Sequence, residues 1–351
     1  MDLWQRRRDL GTIVAKTRRL YLDVRFWNDL CDAELGTARS TQAKELLDDL
    51  RNTVASGELL CPVEFHVVEE LHRQRIPEKR LISLRLVDEL SQRTVLLSPP
   101  ERLFLEVLRL VQGLVVQTPP TVVPLEEMWT RPMFALGHDF PQLESLDAPS
   151  ALVEQLRNET EDEWWGFGFV ELFAVTGPLP IDPNAKRHTA ALLNLAKAVP
   201  ANLFESFDAT YWSEVRGALD AYLPELEEIW RYLFARHGAD PDTIPPDQLR
   251  QSAIQLRRLL YEGAKKMGLR ATVPTLHVGT TLYSQLQWDR RREYKGNDLF
   301  DFGHAEAALP YFDGFATDRP LISLVRQSGL THDYACELLG SADQIMTWLS
   351  G

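Results

Sequence analysis

Cysteine is scarce, with Cys31, Cys61 and Cys336 the only three in 351 residues. They lie far apart, and none has CxxC or Cys/His ligand spacing. A disulfide framework and a structural zinc site are therefore excluded, and a reduced, intracellular setting is expected. Long apolar runs are missing too: none approaches the roughly 18 residues of a membrane span. The opening MDLWQRRRDLGTIVAKTRR is basic, but it lacks the apolar core and small-residue cleavage site of a secretion signal. The expected location is the cytoplasm, with no membrane partner. Positive charge is in short supply, since 38 Lys and Arg face 51 Asp and Glu for a net charge of −13. That balance excludes broad, sequence-independent coating of nucleic acid. It leaves open a site where clustered carboxylates bind metal while a local basic patch grips phosphate. No GxxxxGK[ST], HExxH, GxSxG or GxGxxG occurs, which removes P-loop NTPase, zincin and hydrolase-elbow readings.

What is present is an ordinary globular composition, 44% hydrophobic and 25% charged, in a chain long enough for one large domain or two. Residues 1–18 carry Arg6, Arg7, Arg8, Lys16 and Arg18 and read as a solvated helix or arm, or as a phosphate-contacting arm. Leu20-Tyr21-Leu22-Asp23-Val24 is a short apolar run of the kind a buried strand shows. A helical pattern begins at Arg25, and another spans 41–56. Residues 59–63 read as a second strand, and His66-Val67-Val68-Glu69-Glu70-Leu71 opens a helix after it. Strand, helix, strand, helix favours a parallel α/β sheet.

From about 75 to 288 the pattern turns helical, with amphipathic stretches at 79–93, 100–113, 151–160, 187–198, 220–236, 247–267 and 275–288. Breaks fall at Pro99-Pro100, Pro119-Pro120, Pro178-Leu179-Pro180 and Pro245-Pro246. Glu159, Glu161, Asp162 and Glu163 precede Trp164-Trp165-Gly166-Phe167-Gly168, read as an acidic loop entering a buried aromatic segment or as a partner-binding patch. His138 with Asp139, His188 and His237 have no metal-ligand company and read as surface or satisfied histidines. After 288, Trp288-Asp289-Arg290-Arg291-Arg292-Glu293-Tyr294-Lys295 is a basic, aromatic-flanked loop. A helix over 300–309, a strand over 312–316, a helix over 320–327, a strand over 334–339 and a helix over 342–349 complete the chain. The expected layout is an arm at 1–18, an α/β domain in two halves at 19–74 and 289–351, and a mostly α-helical insertion at 75–288.

Four acids sit at comparable places: Asp23 after the first strand, Glu70 in the helix after the second, Asp301 in the late helix and Asp318 after the late strand. Parallel strands end on one edge of their sheet, so these carboxylates can converge across the chain. Crowded carboxylates repel and raise one another's pKa. A divalent cation relieves that repulsion, and hard oxygen ligands suit Mg²⁺ or Mn²⁺. Such a metal activates water and stabilises the departing oxygen in phosphodiester hydrolysis.

Leu20-Tyr21-Leu22-Asp23, the Glu-Leu pair Glu70-Leu71, Asp301 followed by His304-Ala305, and Thr317-Asp318 together resemble the PIN-domain nucleases. The resemblance covers roughly 19–74 and 289–350. It implies a three-layer α/β/α sandwich with a parallel central sheet and a Mg²⁺- or Mn²⁺-dependent nuclease, RNA being the favoured substrate over DNA. By the same resemblance Asp23, Glu70, Asp301 and Asp318 are the metal-binding catalytic acids and Thr317 the hydroxyl before the last of them. Glu69 is the substitute for Glu70, although Leu71 favours Glu70. The chain departs from the family's compact form in the long stretch between Glu70 and the late motif.

Other assignments stay open. Asp298 reads as an N-cap with Asp301 at N3, and Asp318, before Arg319-Pro320, also suits an N-cap. Asp313 reads as an acid supporting the site or as a solvent-facing side chain. His304 either orients a carboxylate or water, or is a satisfied histidine on the helix face. Arg290, Arg291, Arg292 and Lys295 read as contacts to substrate phosphates or as a salt-bridged loop. The alternative function is a non-catalytic scaffold of the same fold whose helical insertion binds a protein partner. A phosphatase using Asp23 as nucleophile is disfavoured, because the second Asp that such chemistry uses is replaced by Arg25.

Overall fold

The computed structural model describes residues 3–38, 40–116, 124–135, 150–177, 182, 184–199, 204–236 and 238–351. The expected breaks at 119–120 and 178–180, and His138, Asp139 and His237, lie outside them. Six strands occur among the described residues: β1 (Arg18–Leu22), β2 (Leu59–Leu60), β3 (Val95–Leu96), β4 (Trp129–Thr130), β5 (Gly314–Ala316) and β6 (Glu337–Leu339).

Strand β1 is the spine. Leu20, Tyr21 and Leu22 are fully buried, as expected for a central parallel strand covered on both faces. It pairs in parallel with β2 through Arg19 and Leu60, and with β5 through Tyr21 and Phe315. Strand β6 adds in parallel beyond β5, giving the order β2-β1-β5-β6. The strand ends at Leu22, not at Val24, because Asp23 turns the backbone into the helix Val24–Glu34 as its N-cap. The late strands are likewise shorter than the apolar runs that announced them.

The α/β class holds, in a mostly helical chain with a small parallel sheet. The boundary placed at residue 74 does not mark a change of core. Antiparallel β3 and β4 lie beyond it, within the stretch expected to be helical. A parallel bridge from Val63 to Val95 ties β3 to the end of the second strand segment. Leu84, Val87, Leu90, Trp129 and Met133 then pack into the same core as Leu20 and Phe315. The chain thus lays strands outward from β1 to β3, then returns to the other side of β1 with β5 and β6. The direction reverses between β1 and β5.

A second apolar core gathers Leu103, Val107, Val215, Leu226, Leu256 and Leu276. Helix Pro99–Val116 joins the two, placing Leu105 in the first core and Leu103 and Val107 in the second. The acids 159–163 lie on the helix Ser150–Gly166 and not in a loop. Asp162 there pairs with Arg6 of the N-terminal helix Leu3–Ala15. Trp164 and Trp165 pack, partly buried, against the first core. Helices Phe169–Thr176 and Phe207–Ala221 were not anticipated. Among the described residues no helix is long and apolar enough to cross a membrane.

The helix Gly296–Tyr311 starts earlier than the apolar spacing suggested. It packs closely on the helix Phe65–His72, and a Cβ at Gly303 would fall 2.6–2.8 Å from the His66 ring. His66 cannot swing away freely, since Glu64 holds its Nδ1 at 2.9 Å. Gly303→Ala is therefore expected to lower stability by about 1–3 kcal/mol, although alanine is the better helix former. Chemical denaturation would register this as a lower midpoint.

Candidate functional site

The direction of strand addition reverses between β1 and β5, and crevices at the carboxyl ends of strands flanking such a reversal are where open α/β sheets place ligands. Leu22 ends β1 there, so Asp23 stands at its mouth. Ala316 ends β5 beside it, followed by Thr317 and Asp318. Two helices complete the enclosure: Phe65–His72 contributes Glu70, and Gly296–Tyr311 contributes Asp301 and, one turn on, His304.

His304 is the hub. It is buried, with 3% of its surface exposed, so both ring nitrogens need partners. Nδ1 lies 2.7 Å from the Tyr21 hydroxyl, and Nε2 lies 2.8 Å from Glu70 Oε1. Burial works against a charged imidazole. The hydrogen bond and charge of Glu70, with the charges of Asp23 and Glu64, outweigh it and raise the His304 pKa above its usual value. When protonated, the ring donates to both partners.

Burial raises the Asp23 carboxyl, against a hydrogen bond from Thr317, the charge of His304 and the amides of Phe26 and Arg25. Asp23 Oδ1 accepts from Arg25 N at 3.0 Å and, more weakly, from Phe26 N at 3.4 Å. Asp301 is pushed furthest. Burial comes first, and the charges of Asp318, Asp298 and Glu70 add to it against His304, carrying its pKa to about 7. Asp318 is half-buried and caps the helix Arg319–Gln327, its Oδ1 accepting from Leu321 N at 2.9 Å. Asp23 and Asp318 therefore hold helix ends and face the crevice at once.

Asp23, Glu70 and Asp301 thus share one charge neighbourhood with His304, which Asp318 joins through Asp301 and Thr317 through Asp23. Glu70 Oε2, Asp318 Oδ2 and both oxygens of Asp301 accept no hydrogen bond from the described residues. An all-carboxylate donor set suits a hard divalent cation in kind. Among the described residues, however, no three His, Cys, Asp or Glu side chains are closed into a metal cage. The acids are gathered but not clamped.

Other expected residues are placed elsewhere. Glu69 turns to Arg73, whose Nη2 donates to it at 2.7 Å, so Glu70 is the acid on the His304 side. Asp298 does help to start the late helix, but at N3 and not as its N-cap: it accepts from Lys295 N at 2.7 Å, leaving Asp301 outside the capping turn. Asp313 neither supports the site nor simply faces solvent. It precedes β5 at the far end of the sheet, where Arg19 grips it bidentately at 2.9 and 2.6 Å. Arg292 is held by Asp298 at 2.9 Å, while Arg290, Arg291 and Lys295 are exposed. The loop is thus salt-bridged at one arginine and open at three cations. Lys197, not foreseen, fastens it by donating to the carbonyls of Asp289 and Arg292 at 2.7 and 2.6 Å.

Behind the crevice lies a pair that sequence did not single out. Glu64 is wholly buried, yet its carboxyl is held down at about 2, because His66 and Arg102 overcome the penalty of burial. Its negative charge reaches His304. Tyr21 was also missed, being quoted only within the strand motif and given no role of its own. A phenol alternating with Asp23 along a strand was the available signal.

Comparison with protein-family models, with curated proteins and with solved structures finds no match to this chain.

A carboxyl raised in the folded state favours folding at low pH and loses that contribution as pH rises to the folded value. For Asp301 the loss runs from about pH 4, the unfolded value, to about 7, the folded one. At about 1.4 kcal/mol per pKa unit it amounts to no more than a few kcal/mol. Asp301→Asn should therefore stabilise the protein at pH 8 and do so much less at pH 4.5. Urea titrations at the two pH values measure the difference.

Proposed function

We propose that the chain is a metal-dependent nuclease of the PIN type that hydrolyses phosphodiester bonds, with RNA as its substrate. The observation that carries this reading is that Glu70, Asp23 and Asp301 each interact with one buried histidine at the strand-end crevice, with Asp318 acting on Asp301. Its chemical support is the Asp301 carboxyl, lifted to about 7 first by burial and then by the charges of Asp318, Asp298 and Glu70. Mg²⁺ or Mn²⁺ held by these carboxylates would neutralise that charge, lower the pKa of water and steady the leaving oxygen.

The chain's own residues take the remaining parts. His304 fixes Glu70 from behind and, by its positive charge, keeps Asp23 and Asp301 more acidic than burial alone would allow. Thr317 orients Asp23 through its hydroxyl. Arg290, Arg291 and Lys295 are exposed on the loop that leads into the helix of Asp301, free to meet substrate phosphates. Arg292, already paired with Asp298, shapes that loop instead.

The scaffold alternative draws on a different observation. Leu192, Leu195 and Val199 stand exposed at helical spacing along and just past the helix Ala185–Ala198, a stripe suited to a protein partner. One experiment separates the two readings. Asp23→Asn keeps an N-cap of equal quality while removing a charge, and Asp301→Asn removes a carboxylate that caps nothing. Each should reduce Mn²⁺-dependent cleavage of single-stranded RNA by about a hundredfold or more, with an unchanged circular dichroism spectrum. Cleavage unaffected by both substitutions contradicts the nuclease reading, and no cleavage by the unaltered protein favours the scaffold.

A further inference from the structure

A cavity of about 410 Å³ lies among the helices Ala185–Ala198, Phe207–Ala221, Pro274–Trp288 and Gly296–Tyr311. Its size falls in the range that holds small organic ligands. Gly303 lines it too, so it backs onto the helix that carries Asp301 and His304. None of its carboxylates belongs to the crevice, and of its polar groups His66 alone bears on it, through Glu64.

Two carboxylates, Glu214 and Glu306, line this space, and neither has a hydrogen bond or ion pair among the described residues. Glu306 is half-buried in the cavity wall. Its carboxylate lies over Gly279, where a Cβ would fall 2.2 Å from Oε1. The glycine thus leaves room for the acid in the cavity wall. Burial raises both carboxyls, and for Glu306 the charges of Glu64 and Glu106 add to it against Arg102 and Lys186, reaching about 7. Half-buried carboxylates without a partner carry a desolvation cost. Of the two basic side chains in the lining, His66 is taken up by Glu64, and Lys186 makes no ion pair with either acid, its Nζ sitting 5.0 Å from the centre of the Phe300 ring. Two acids against one ammonium leave the cavity negative. Tyr222 and Tyr283 also line it, and the phenols of both feel the charge of Glu306. Aromatic rings beside unpaired carboxylates suit an ammonium group on an apolar stem.

We propose that this cavity is a binding site for a small organic amine, its ammonium seated between Glu306 and Glu214 and its apolar part against Tyr222 and Tyr283. The inference is independent of the nuclease reading, since it uses none of the crevice acids.

The test uses 2-phenylethylamine as probe, with 2-phenylethanol as its neutral counterpart, at equal ionic strength and pH 8. Thermal shift and titration calorimetry read binding to the full chain, to Glu306→Gln and to Glu214→Gln. The expected result is binding of the amine in preference to the alcohol, with affinity weakened by about tenfold or more in Glu306→Gln. Without ligand, Glu306→Gln should melt no lower than the unaltered protein, because an unpaired, half-buried carboxylate has been removed. Should that variant fail to fold, Glu214→Gln carries the same comparison. No binding, equal binding of amine and alcohol, or binding that both substitutions leave intact overturns the proposal.

Discussion

The candidate site depends on one buried imidazole. His304 has to satisfy two ring nitrogens in a space from which water is nearly excluded, and it does so with Tyr21 on β1 and Glu70 on the helix Phe65–His72. Those bonds fix three elements relative to one another: the central strand, the early helix and the late helix. The charge of the same ring lowers both the Asp23 and the Asp301 carboxyl. Removing it would leave a buried phenol unpartnered, Glu70 unheld and the acids facing one another with less relief. The crevice is thus a balance between an excess of carboxylate and a single histidine.

A second polar cluster holds the two apolar cores together. Arg102 is fully buried between them. It donates to the Leu97 carbonyl at 2.8 Å and, at 3.4 Å, to the Thr275 hydroxyl, with Glu64 3.8 Å away. Thr275 and Tyr311 both donate to Glu106, one helical turn beyond Arg102. Burial raises Glu106 against those two hydrogen bonds and the charge of Arg102, leaving it near 7. Through Glu64 this cluster also adds to the field at His304. The large helical part of the chain is therefore joined electrostatically to the sheet as well as by apolar packing.

Much of this was legible in sequence wherever one residue type had one dominant use. Apolar runs ending in an acid marked β1 and β5, because a strand covered on both faces must be apolar and its end must cap or coordinate. Asp23 and Asp318 were singled out on that ground, and Asp301 as an acid of the late helix beside them. Capping as a competing role for Asp318 was also legible. Asp298 was placed one turn position wrong, since cap register depends on where Lys295 leaves the loop, which no local pattern states. Asp313 was misread because its partner, Arg19, is adjacent only once β1 and β5 pair. The two-residue strands β3 and β4 gave no period to detect, and so the first core seemed to end at residue 74. Arg102 and Glu64 were invisible for the same reason as Arg19: buried charge pairs are long-range by nature.

The central claim is that the four carboxylates form one cation site. Crystals soaked in MnCl₂ and measured at the manganese absorption edge test it directly. The account predicts a single anomalous peak at oxygen-coordination distance, about 2.0–2.4 Å, from carboxylates of Asp23, Asp301 and Asp318, with Glu70 in contact directly or through water. A crevice without a peak in crystals that bind manganese elsewhere, or a peak touching none of these acids, would contradict it.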